Sequence, residues 1–176
     1  MKKRKIIAPL VLFLSFYIGQ AQLVMIDGET GEYRYEDVAR AEGISSSLIK
    51  ERAKRWLNEY YGSEHVIKED TAGIEQINQF SFSWKLIRKE IPVELFFKVG
   101  IKTKDNRYKY DFDDFQVGKI VQGDIQAIPL KKYLSRFPHE YVILIEEPID
   151  QEITKAIGSL NYYINNDKLE VQEDDW

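Results

Sequence analysis

Cysteine is absent, and the 176 residues hold only two histidines, His65 and His139. No disulfide, thiolate metal site or cysteine nucleophile can form, and a histidine-rich metal centre is excluded. There is no glycine-rich phosphate loop, and Ser45-Ser46-Ser47 lacks the Gly-x-Ser-x-Gly elbow of a nucleophilic serine. Asp111-Phe112-Asp113-Asp114-Phe115-Gln116 is acidic but lacks the glycine that a calcium loop needs at its sixth position. Glu146-Glu147 is a second acidic pair, yet no two carboxylates stand out as a hydrolytic couple. The expectation is a protein without metal or cofactor, and not an enzyme. Internal repeats and low-complexity linkers are also lacking, so one domain is expected.

What is present is a globular composition. With 44% hydrophobic and 13% aromatic residues, the chain is too apolar for a disordered one. The apolar residues are not evenly spread. Lys2, Lys3, Arg4 and Lys5 precede an apolar run, Ile6 to Ile18, and Gly19-Gln20-Ala21 then places small residues where a signal peptidase cuts. Residues 1–21 read as a secretory signal peptide. An uncleaved anchor is disfavoured because a bilayer needs about 20 apolar residues. Cleavage leaves 21 basic and 29 acidic residues, net −8. That charge opposes sequence-independent nucleic-acid binding, which depends on neutralising phosphates. The expected location is the periplasm or the exterior, with no membrane span after cleavage.

Residues 22–31 read as an N-terminal linker, 32–166 as the domain and 167–176 as an acidic tail. Tyr33 to Val38 reads as a first strand. Ile49, Ala53, Trp56, Leu57 and Tyr60 share one face of a helix over 45–61, with a serine as its N-cap and Gly62 at its end. Thr71-Ala72-Gly73 reads as a hairpin turn. The period then becomes two. Phe80, Phe82, Trp84 and Leu86 share a face, as do Ile91, Val93, Leu95, Phe97, Val99 and Ile101, and then Tyr108, Tyr110 and Phe112.

These parities pair antiparallel. Phe80 is set against Phe97 and Trp84 against Val93 across a loop of residues 87–90. Val99 is set against Phe112 and Thr103 against Tyr108 across Asp105-Asn106. The switch from even to odd apolar positions at Phe115 predicts a β-bulge at Asp113-Asp114. Residues 119–147 resist assignment: Pro129–Leu134 suits a short helix, and Tyr141–Ile145 suits a buried strand or a helix. A second amphipathic helix is expected from Pro148, carrying Ile149, Ile153, Ala156, Ile157, Leu160 and Ile164. One apolar sheet face and two amphipathic helices make an α+β fold, with both helices on that face and the other face open.

Ser47-Leu48-Ile49 leading to Ala53-Lys54-Arg55-Trp56-Leu57, then Val66–Ile74, then Lys102–Tyr110 with its Lys-Asp-x-Arg-Tyr hairpin, resembles the bacterial domain of unknown function 4468. The resemblance covers roughly residues 34 to 118. It implies a TBP-like fold, a curved antiparallel sheet with helices on one side, in exported proteins of Bacteroidetes. It implies no activity and no catalytic residues. Fold does not carry function.

The candidate binding surface is the open sheet face: Glu94, Phe96, Lys98, Lys102, Lys104, Arg107 and Lys109. Lys102, Lys104, Arg107 and Lys109 cluster at a hairpin tip, as an anion site would or as charges that keep sheet edges soluble would. Phe96 points away from the core and is a candidate anchor. The expected role is an exported binding or accessory module of the cell envelope, holding a protein or envelope component. A carboxylate hydrolase of envelope glycans or peptides is the alternative, and homo-oligomerisation through the open face is a further option.

Overall fold

Strand alternation dictates the architecture. Three neighbouring strands whose apolar residues all fall on one side must bury that side. The computed structural model describes residues 25–26, 32–62, 66–122 and 124–166. The proposed signal peptide, His65, the acidic tail and most of the linker span lie outside the described residues.

Helix α1 (Ser46–Tyr61) starts where the Ser45 hydroxyl accepts the Leu48 N–H, at 3.4 Å, and its buried stripe is Ile49, Ala53, Trp56 and Leu57. It stops at Gly62, whose φ of 86° suits a residue without a Cβ. The strands are β1 (Met25–Ile26), β2 (Tyr33–Arg40), β3 (Val66–Asp70), β4 (Gly73–Leu86), β5 (Lys89–Lys104), β6 (Arg107–Val121) and β7 (Asp124–Pro129). They form one antiparallel sheet in the order β1-β2-β6-β5-β4-β3, and β7 pairs with the far half of β6. The pair Met25–Ile26 thus makes a short strand inside the span read as linker.

The β5–β6 register is the expected one, with Val99 opposite Phe112 and Thr103 opposite Tyr108. The bulge is present as well. Lys98 faces Asp113 while Phe96 faces Gln116, and Asp114 takes a φ of 52°, which returns Phe115 to the buried face. The β4–β5 register differs from expectation by two residues. Phe80 lies opposite Leu95 and Trp84 opposite Ile91, and Leu86 pairs with Lys89. A shift of two keeps every side chain on its face, so parity could not distinguish the alternatives. The loop is therefore Ile87-Arg88, and the tight turn forces Ile87 to a φ of 61°.

Two helices complete the chain, α2 (Leu130–Leu134) and α3 (His139–Asn166). The latter begins nine residues before the expected start at Pro148, which lies inside it. Ile145 extends the buried stripe of Ile149, Ile153, Ala156, Leu160 and Ile164 one turn backwards, so burial favours continuing the helix through the proline despite the lost backbone bond. Helices α1 and α3 contact each other and pack on the same face of the sheet. Trp84, Leu95, Phe97, Val99, Ile101, Tyr110 and Phe112 are buried there. Trp56 Nε1 donates to Ser159 Oγ at 3.1 Å, and the Tyr108 hydroxyl donates to Asn161, which ties both helices and the sheet together. No helix among the described residues is long and apolar enough to cross a membrane.

Two substitutions at the hairpins check this geometry. Ile87→Gly relieves a β-branched residue held at positive φ, and should raise stability by about 1 kcal/mol in urea unfolding, with unchanged m. Gly73→Ala places a Cβ 2.0 Å from the Ile101 carbonyl oxygen, and should lower stability by about 2 kcal/mol or more.

Candidate functional site

The open face is built from the residues that alternate with the core. In register across β2, β6, β5 and β4, one row reads Glu36, Asp111, Gly100, Glu75. The next reads Val38, Lys109, Lys102, Gly73. Beyond that, Arg40, Arg107 and Lys104 align at the hairpin end. In the other direction Lys98 faces Asp113, with Ile77 on the neighbouring strand.

The centre of this face is internally compensated. Arg34 donates two hydrogen bonds to the Asp111 carboxylate and lies 3.1 Å from Glu36, which also holds Lys109 at 2.8 Å. Lys98 and Asp113 pair at 3.1 Å. Gly100, with no side chain, leaves a depression of about 260 Å³ among these groups. Burial pushes the Asp113 carboxyl above the usual carboxylate range, and the Lys98 ammonium only partly draws it back. Burial works against the charged form of Lys98 too, but Asp113, Glu75 and Asp114 leave it above the usual lysine value.

The hairpin end differs. Lys102 stands directly opposite Lys109, and Lys104 directly opposite Arg107. Lys102, Lys104 and Arg107 are exposed and make no ion pair among the described residues. They border a groove of about 350 Å³ whose other lining includes Val38 and Ala72. The hairpin is held rigidly from the helix side. Asp105 accepts the Ser46 N–H at 2.8 Å, and Asn106 accepts the Gly43 N–H at 2.8 Å through its side chain and the Ala41 N–H at 2.8 Å through its carbonyl. Asp105 therefore serves the start of α1, and makes no ion pair with the lysines among the described residues.

All seven candidates lie on β5 or β6 and face away from the helices, but they do not form one site. Lys102, Lys104, Arg107 and Lys109 come together. Lys98 belongs to the compensated centre. Glu94 accepts hydrogen bonds from Gln79 and Ser81 further along. Phe96 differs from expectation: it does lie on this face, between Gln79 and Gln116, but is only 4% exposed. It is not available as an anchor. Reading the chain strand by strand missed Arg34, Glu36 and Val38. The signal was there in the parity of β2, whose Tyr33 and Tyr35 alternate with these residues.

The other chemical candidates are engaged structurally. The Ser46 hydroxyl meets Thr103 at 2.9 Å, Glu146 accepts the Tyr33 hydroxyl, and Glu147 accepts from Gln151 at 3.2 Å. No group of metal-ligating side chains occurs among the described residues.

Asp113 gives a pH test. A carboxyl whose folded pKa is raised favours the folded state only while protonated, so its contribution is lost as pH rises from its free value of 3.8 through the folded value. Relative to Asp113→Asn, the protein should lose stability as pH rises through that window, read by urea unfolding from pH 3 to 7. A gap that narrows with rising pH would mean that the Lys98 ion pair outweighs burial.

Residues 35–117 match the family model described as a domain of unknown function (DUF4468) with TBP-like fold. No curated protein matches the chain. A TBP-like protein from Parabacteroides distasonis superposes with a TM-score of 0.52 at 12% identity, covering 76% of this chain and 96% of that one. A DUF4468 family protein from Bacteroides ovatus gives a TM-score of 0.48 at 7% identity, covering 74% and 81%. In the sequence of residues 35–117 and in its α+β sheet architecture, the chain resembles the DUF4468 family with its TBP-like fold.

Proposed function

We propose that the chain is an exported, non-enzymatic binding module of the cell envelope, and that the basic hairpin end of its open face takes an acidic protein segment. The observation that carries this reading is the pair of like-charged cross-strand neighbours, Lys102 with Lys109 and Lys104 with Arg107. Like charges directly opposite each other destabilise a sheet, by about 0.2–1 kcal/mol per pair. Of these four, only Lys109 has a counter-charge among the described residues, Glu36. Cations left together at such a cost on a rigid support suit an anionic ligand. The groove's Val38 and Ala72 suit an extended segment that alternates acidic and apolar side chains. The overall negative charge opposes long polyanions and still permits a short acidic stretch to meet a local basic patch. Export rests on the residue pattern of 1–21.

A carboxylate hydrolase, the alternative, needs an acid and a base free to exchange protons with substrate. Asp111 is held by Arg34, and Glu36 by Arg34 and Lys109. That arrangement supports binding over hydrolysis.

The test is fluorescence anisotropy of a labelled peptide alternating glutamate and leucine, at low salt. Replacing Lys102, Lys104 and Arg107 by glutamine should weaken binding at least tenfold and flatten its salt dependence. The same variant should unfold at slightly higher urea, because like-charge repulsion is removed. Unchanged affinity would remove this groove as the binding site.

A further inference from the structure

The basic groove lies close to the point where helix α3 ends. Asn165 donates to the carbonyl oxygen of Arg40 at 3.4 Å, and Arg52 donates to that of Ile164. Arg40 is in register with Arg107, which is in register with Lys104. The last helical turn therefore sits over the same end of the sheet as the unpaired cations, on the opposite face. The β2 residues from Tyr35 to Arg40 pair only with β6 among the described residues, because β1 reaches only Tyr33 and Arg34.

The residues that follow have the matching chemistry. Residues 167–176 read Asp-Lys-Leu-Glu-Val-Gln-Glu-Asp-Asp-Trp, five acids against one lysine. Within them Leu169-Glu170-Val171 alternates apolar and acidic side chains, and Trp176 adds a large apolar one. The route from Asn166 round the β2 edge to Lys102 crosses one layer of about 10 Å and two strand spacings of about 4.8 Å. Ten extended residues reach about 33 Å. The segment is long enough and its charge complements the groove.

We infer that residues 169–176 of the same chain fold round the β2 edge and occupy the groove formed by Val38, Lys102, Lys104, Arg107 and Lys109, competing with the external acidic ligand. This rests on reading the groove as an acidic-segment site, and adds the regulation of that site. A segment tethered this closely acts at an effective concentration of about 1 mM. If its intrinsic dissociation constant is about 0.2 mM, it weakens the apparent affinity for an external peptide about sixfold.

The experiment compares the protein with a variant carrying Glu170→Gln, Glu173→Gln, Asp174→Asn and Asp175→Asn. These positions lie outside the buried stripe of α3, which ends at Ile164 among the described residues, and equal urea midpoints for the two proteins check that the fold is intact. The labelled glutamate–leucine peptide should bind the variant about sixfold more tightly. The backbone amide resonances of Val38, Lys102, Lys104 and Arg107 should differ between the two proteins at low salt and coincide at 0.5 M. A synthetic peptide of residues 167–176 added to the variant should restore the original resonances. Equal affinities and superimposed amides would overturn the inference while leaving the groove as a binding site. No peptide binding by either protein would overturn both. A difference that grows with protein concentration would assign the segment to a second copy and overturn the intramolecular contact.

Discussion

The fold depends on keeping the apolar residues of β4, β5 and β6 in phase through a sheet that is not regular. Strand β6 carries Tyr108, Tyr110 and Phe112 at even positions and Phe115 at an odd one. Without an extra residue, Phe115 would turn to the open face and leave a hole beside Tyr35 and Phe97, whose rings it meets. The bulge at Asp114 removes that conflict. It also places Asp113 opposite Lys98, with which it pairs, and Gln116 opposite Phe96. One local backbone device therefore completes the core and sets the charge pairing at the centre of the open face.

The hairpin end of that face is set by the Asp105-Asn106 turn. Its two side chains are committed to the backbone of the β2–α1 connection, so the start of α1 and the tip of the β5–β6 hairpin form one rigid corner. The Ser46–Thr103 contact reinforces it from beneath. Fixed backbone positions keep Lys104 and Arg107 facing each other, where a loose hairpin would splay to relax their repulsion. A preorganised cationic pair loses less conformational freedom on meeting an anion.

Much of this was legible in the sequence. The α1 boundaries followed from a serine cap, a five-residue apolar stripe and a glycine. The β5–β6 register followed from parity and an Asp-Asn turn that tolerates positive φ, which Asn106 adopts at 66°. The β4–β5 register was not legible, because Ile87-Arg88 carries no turn signal and a two-residue slip leaves the pattern unchanged. The start of α3 was hidden by Pro148, which local rules read as a beginning although the Ile145–Ile149 stripe runs through it. At the site, the basic cluster was visible, but its counter-charges were not. Arg34, Glu36 and Asp111 meet only through the pairing of β2 with β6, which joins residues some 75 apart in sequence. The burial of Phe96 escaped for the same reason: a strand read alone gives the face of a side chain but not how much of it the assembled sheet covers.

The other explanation for the cations, protection of a sheet edge against pairing with a second chain, fails on topology. Edge protection acts on strands with an unpaired side. Strand β5 lies between β4 and β6, and β6 lies between β5 and β2 over Arg107–Phe112. The β6 ladder is filled on both sides over Arg107–Phe112, and the β4 ladder reaches Lys102, with the Thr103 N–H bonded to the Ala72 carbonyl oxygen, so Lys102, Arg107 and Lys109 guard no free sheet edge. General solubility would be served as well by mixed charge, which the same face uses two rows away, where Lys98 meets Asp113. The protein therefore places opposite charges side by side where the sheet is its own partner. Where Lys102, Lys104 and Arg107 stand, it leaves charge of one sign uncompensated. That difference between two parts of one surface is what the anionic ligand we propose would account for.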